Sequence, residues 1–120
     1  MIQNLKNLAS MIIKKHGLDP ITIKFKEVQR GHAYMHTRKI TIPIWIFSGI
    51  KEYQIYYMVH ELTHFICIDK FGMGGHGNLF KKIESQILND YNIIPIYSKA
   101  YAKKLQNPQG KVLCGRFGEV

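Results

Sequence analysis

Cysteine is scarce in this chain. Its 120 residues include two, Cys67 and Cys114, and neither sits in a C-x-x-C pair. A disulfide framework is not expected, and a cysteine-rich zinc ribbon is excluded within the chain. Long apolar runs are also lacking. The most apolar stretch, residues 40–50, is broken by Pro43 and polar side chains and falls well short of the roughly 20 residues a membrane span needs. The amphipathic N-terminus has neither the apolar core nor the small-residue cleavage site of a secretory signal. The expectation is a soluble, cytoplasmic protein with no membrane partner. There is no internal repeat, linker or low-complexity segment.

Acidic residues are few, 8 against 17 Lys and Arg, for a formal charge of +9. The basic residues are spread out, with no block longer than two. Such a diffuse bias favours acidic partners, nucleic acid among them, and is equally that of an ordinary basic protein. The hydrophobic fraction of 46% suits one domain with one modest core. In so small a core a bound metal can contribute to stability.

The hydrophobic pattern predicts an α+β order. Residues 2–16 read as a helix, with Leu5, Leu8, Ile12 and Ile13 at helical spacing and Gly17 as its stop. Residues 21–28 alternate as a half-buried strand. Residues 31–37 form a second strand, with His32, Tyr34 and His36 on one face. Residues 39–47 form a third extended segment that Pro43 makes irregular. Ser48 is the expected N-cap of a long second helix, residues 51–71. The Gly72-Met73-Gly74-Gly75 loop breaks that helix. Asn78 is positioned to cap a third helix over residues 79–91. Beyond it, a short fourth helix at 98–105 and a short strand at 111–114 are expected in an otherwise loop-like tail. The whole, 1–120, is read as one domain, with a core over about residues 2–91 and an irregular extension over 92–120.

The chemistry concentrates in His60-Glu61-Leu62-Thr63-His64, an H-E-x-x-H pattern on the predicted second helix. Residues four apart share a helix face, so both imidazoles can reach one metal ion. Glu61 stands beside that face, where its carboxylate can take a proton from a metal-activated water. Catalytic zinc takes three protein ligands and leaves a position open. His76 is the candidate third ligand, because the glycine-rich turn gives the chain room to fold back. Glu84 on the third helix is its competitor; if His76 binds the metal, Glu84 is read as a solvated residue or one supporting the ligands from behind. Asp69 is read as a surface or helix-end charge.

These residues resemble the SprT-like (Spartan-like) minimal metallopeptidases. That family pairs an H-E-L-x-H helix with a downstream G-H-G-x-x-F/W, matched here by residues 60–64 and by Gly75-His76-Gly77-Asn78-Leu79-Phe80. Gly31-His32-Ala33 and Arg38-Lys39-Ile40-Thr41-Ile42 resemble the segment before its active helix. The resemblance covers roughly residues 4–91. It implies a small zincin-like domain with an N-terminal helix, a short three-stranded sheet, an active-site helix and a following helix. It implies one Zn2+ on His60, His64 and His76, with Glu61 as general base in hydrolysis of a protein or peptide substrate. Some members act on proteins attached to DNA. The four-cysteine ribbon of many members is missing here, and so is the third metzincin histidine, since position 70 is Lys.

The remaining candidates are weaker. His32 and His36 can line a groove or be ordinary half-exposed strand residues. His16, at the end of the first helix, suits the helix dipole when protonated. Tyr56 shares the His60 face and is read as packing. Tyr97 or Tyr101 can supply a hydroxyl to a developing oxyanion. Cys67 is read as a small buried hydrophobe. The rival to hydrolysis is a nucleic-acid-binding or protein-interaction module with a structural or regulatory zinc, which would need a fourth protein ligand.

Overall fold

A computed structural model describes residues 2–93. The expected helix at 98–105, the strand at 111–114, Tyr97, Tyr101 and Cys114 lie outside the described residues. The described elements run α1 (Ile2–Lys15), β1 (Thr22–Lys26), β2 (His32–Tyr34), β3 (Lys39–Pro43), a 3-10 turn (Ile44–Ser48), α2 (Lys51–Phe71) and α3 (Asn78–Asp90). This is a small α+β arrangement of three helices and one sheet.

The sheet order is β1-β3-β2, with β1 parallel and β2 antiparallel to the central β3. Its inner face carries Ile23, Phe25, Ile40, Ile42 and Ala33, in paired register across the strands. Ile40 and Ile42 are fully buried, as β-branched residues on a central strand should be. Pro43 ends β3, and the next five residues wind into the 3-10 turn. The third extended segment therefore stops at Pro43 instead of reaching residue 47, because proline cannot donate to the ladder.

Helix α2 is the spine. Tyr53, Tyr56, Tyr57, Met58, Val59, Leu62, Phe65 and Ile66 on it are all buried, so it is covered on nearly every side and not amphipathic. Helix α1 packs against it through Leu5, Ala9 and Ile12, each larger side chain contributing about 1.5–3 kcal/mol by leaving water. Helix α3 closes the other flank through Phe80, Ile87 and Leu88. No described helix is long and apolar enough to cross a membrane.

Two expected caps are corrected. The N-cap of α2 is Ile50, two residues past Ser48, and it makes no side-chain cap bond. Asn78 is already helical, with Gly77 before it. The end of α2 is as expected: Gly72 adopts φ +65°, the left-handed conformation glycine takes without a Cβ penalty.

Two links tie the β2 hairpin to α2. At its start, the Gly31 N–H donates to the Tyr57 hydroxyl at 2.7 Å. A Cβ on Gly31 would meet the Thr41 carbonyl oxygen at 2.6 Å and Tyr57 Cε1 at 2.7 Å, so only glycine fits this crossing. At its end, Arg38 forms a forked ion pair with Asp69 at 3.1 and 2.8 Å. The same guanidinium donates to the carbonyls of Asp19 and Pro20 and lies 5.1 Å from the Phe65 ring centre. Asp69 is thus a tether to the sheet, more than the bare end charge expected. Arg38 itself adopts φ +50°.

Candidate metal centre

The two links bracket the H-E-x-x-H turn of α2. Between them, His60 and His64 project from the flank of the helix that faces α3. The left-handed turn at Gly72 and a second positive-φ glycine, Gly75 (φ +79°), bring the chain back so that His76 meets them. One nitrogen from each of the three imidazoles lies within 4.8 Å of the others, a group able to hold a metal ion. His64 Nε2 and His76 Nε2 are 3.2 Å apart. Ring nitrogens from separate elements converging on one point suit a shared cation.

Phe80 underlies all three histidines. Its ring centre is 5.0 Å from His60, 4.7 Å from His64 and 4.9 Å from His76, and the residue is buried. Contact with this fixed ring restricts the rotamers of the three imidazoles together. In the sequence Phe80 stands out only as part of the resemblance, with no sign of this contact.

Glu84 lies behind the site. It is fully buried and its Oε2 is 2.7 Å from His60 Nδ1. A carboxylate there accepts the Nδ1–H, which selects the tautomer whose Nε2 lone pair is available to a metal. Of the two candidates for third ligand, His76 joins the converging group, while Glu84 lies against His60. The donor set therefore fits a borderline metal such as zinc: three imidazoles, that of His60 oriented by Glu84. Among the described residues, the group of potential metal donors contains these three histidines.

Glu61 follows His60 on the same turn and is 4% exposed. Burial pushes its carboxyl up; nearby His60 draws it back, Glu84 adds to the rise, and the result is about 7. A carboxyl poised there exchanges protons readily near neutrality.

The other candidates fall away from this group. His32 and His36 are exposed, on β2 and on the turn after it. His16 is displaced from the dipole expectation: burial, then Lys70 and Lys15, lower its pKa, so its charged form is disfavoured. Tyr56 is buried with its ring 5.8 Å from that of His60. Cys67 is buried as expected, and burial raises its thiol pKa.

No protein-family model matches the sequence, and no curated protein matches it at a significant level. Among solved structures, the crystal structure of the metallopeptidase zymogen of Pyrococcus abyssi abylysin superposes with a TM-score of 0.52 at 17% identity. The match covers 77% of this chain and 99% of that one. At that identity the likeness is one of fold, and it is to the fold of a metallopeptidase.

Proposed function

We propose that the chain is a zinc-dependent metallopeptidase that hydrolyses peptide bonds, with His60, His64 and His76 holding one Zn2+ and Glu61 as general base. The observation that carries this reading is the convergence of the three imidazoles beside a buried carboxyl on the same helical turn. The metallopeptidase fold of the structural neighbour supports it. The finer reading, a SprT-like peptidase acting on protein or peptide substrates, some of them associated with nucleic acid, rests on the motif resemblance.

When bound, zinc supplies a Lewis acid that acidifies water and polarises a carbonyl. The protein's residues do the rest. Glu84 keeps the proton of His60 on Nδ1 and leaves Nε2 directed at the centre. Phe80 excludes water from beneath the ligands. Glu61 takes a proton from the attacking water and returns it to the leaving amine nitrogen, so the carboxyl ends each cycle as it began. Among the described residues, strand β2 is an edge of the sheet. An extended substrate adding to it would be held through main-chain hydrogen bonds, with little demand on its sequence.

The test compares wild type with Glu61→Gln, using an unstructured protein or quenched peptide library, with zinc content measured on both. The expected result is a loss of at least about 100-fold in turnover at equal zinc occupancy. Equal cleavage by the two proteins would end the assignment of Glu61. Zinc bound with a fourth protein ligand would favour a structural site and an interaction module.

A further inference from the structure

The ridge of α2 that carries Glu61 also carries the attachments of the β2 hairpin. Tyr57, Glu61, Phe65 and Asp69 follow one another at intervals of four, and residues so spaced line one ridge of a helix. Tyr57 meets Gly31 just before β2, and Phe65 and Asp69 meet Arg38 in the turn after it. Glu61 stands between the two attachments. From Tyr57 to Asp69 the helix rises about 18 Å. One attachment falls about one turn before Glu61 and the other about two turns after it.

Each attachment is made of several bonds. At the entry, buried Tyr57 accepts the Gly31 N–H at 2.7 Å. The Trp45 ring meets Tyr57 edge-on at 6.3 Å, and its indole N–H donates to the Gln29 carbonyl at 3.0 Å. At the exit, Arg38 forks onto Asp69 with both side chains only 26% exposed, and it donates to the carbonyls of Asp19 and Pro20. A planar guanidinium fork fixes direction as well as distance. The Arg38 backbone stands at φ +50°, a conformation that a residue with a side chain keeps where its surroundings hold it. The ladder to β3 spans only the three residues of β2. It sets the strand within the sheet, and the two attachments set that strand against α2.

We propose that Arg38 and Asp69, with Tyr57 at the other end, are positioning residues: they fix the β2 edge relative to Glu61 and so place the scissile bond of a substrate paired to that edge. The inference rests on the peptidase reading and on addition of the substrate to β2. A peptide paired to a strand advances about 3.4 Å per residue, so a small shift or tilt of β2 carries the carbonyl away from the base. A misplacement of about 1 Å costs about 100-fold in rate. Main-chain pairing with the edge survives such a shift. Loosening either attachment therefore lowers turnover and blurs the choice of bond, while binding is nearly kept.

The experiment is steady-state kinetics of the full chain on the library peptide that the wild type cleaves best, at equal zinc occupancy, with the products mapped by mass spectrometry. Asp69→Asn and Arg38→Gln are each expected to lower kcat about tenfold, to change KM less than about twofold and to spread cleavage to neighbouring bonds. Tyr57→Phe removes the hydroxyl alone and should act in the same direction from the other end; it carries the test should an Arg38 or Asp69 variant fail to fold. Asp69→Glu keeps an ion pair and should recover kcat and the dominant cleavage site. Ile12→Val loosens the packing of α1 on α2; it should lower the melting temperature and leave the cleavage pattern unchanged. An Asp69→Asn protein that cleaves the wild-type bond with the wild-type kcat would overturn the proposal and leave the peptidase reading standing. So would a fall in kcat at an unchanged bond that Ile12→Val shares, which would mark a loss of stability alone. No cleavage by the zinc-loaded wild type would overturn the peptidase reading and this inference together.

Discussion

Glu84→Gln is the sharpest probe of the metal centre. The substitution keeps size and shape while removing one charge from a fully buried position. In the wild type, a short 2.7 Å contact joins the carboxylate to His60 Nδ1. A hydrogen bond to a charged group is worth about 1.5–3 kcal/mol, against about 0.5–1.5 kcal/mol between neutral partners. The difference, about 1–2 kcal/mol, raises the basicity of His60 and holds its ring in the ligating orientation. It translates into about a 5- to 30-fold loss of zinc affinity. Competition against a chromophoric chelator at neutral pH measures this directly, with circular dichroism to establish that the fold is unchanged. Zinc affinity within about twofold of wild type would refute the reasoning. It would mean that Phe80 and the backbone alone set the His60 ring, and that Glu84 is buried for another reason.

Three further outcomes follow from the same geometry. Single substitutions His60→Ala, His64→Ala and His76→Ala should each abolish stoichiometric zinc in metal analysis after dialysis; retention of one zinc by the His76 variant would return Glu84 to the ligand set. Gly31→Ala must push a Cβ against the Thr41 carbonyl and the Tyr57 ring, an overpacking expected to cost about 1–3 kcal/mol. Urea denaturation would show it, and an unchanged midpoint would count against the close crossing of β2 and α2. In the metal-free protein, Glu61 titrates near 7 instead of its ordinary 4.5 because of burial. The folded state then holds this proton more tightly than the unfolded chain. The contribution is fully present below about pH 4.5 and is lost as pH rises through about 7, amounting to about 3 kcal/mol. Metal-free Glu61→Gln should lack this decline, and melting temperature against pH checks it; parallel curves for the two proteins would contradict the burial argument.

The parts of the fold legible in the sequence are those that periodicity controls. Leu5 and Ile12 mark the buried face of α1, alternation over residues 21–28 marks β1, and the glycines after Phe71 mark the end of α2. The H-E-x-x-H spacing placed His60 and His64 on one face because helix geometry leaves no other arrangement. What sequence did not reveal was contact between distant elements. Arg38 and Asp69 are 31 residues apart and Gly31 and Tyr57 are 26 apart, and no local pattern encodes either meeting. The caps failed for a similar reason. Ser48 is a good N-cap in isolation, but it belongs to the 3-10 turn that Pro43 starts, so α2 begins later. Tyr53, Tyr56 and Tyr57 are buried on a helix that is covered all round, and a helix without a polar face shows no period to read.

The buried groups around the proposed zinc make metal and fold hard to separate. Glu61 and Glu84 are both removed from water, and the charge of Glu84 disfavours that of Glu61. Uncompensated, two buried carboxylates in a core drawn from three helices and three short strands are costly. In the metal-free chain the cost falls on Glu61, whose carboxyl shifts toward its neutral form, while Glu84 retains its bond to His60. A divalent cation on the three imidazoles would reverse that balance, since it would favour the Glu61 carboxylate as an anion. Zinc that binds the folded chain and not the unfolded one stabilises by RT ln(1 + [Zn]/Kd), about 4 kcal/mol at a thousandfold excess over Kd. That is a large share of what a domain of this size has in hand. The carboxyl that the proposed chemistry needs and a share of the stability of the fold would thus depend on the same ion. Chelation should lower the melting temperature of the wild type more than that of Glu61→Gln, because the variant has one less buried charge to offset.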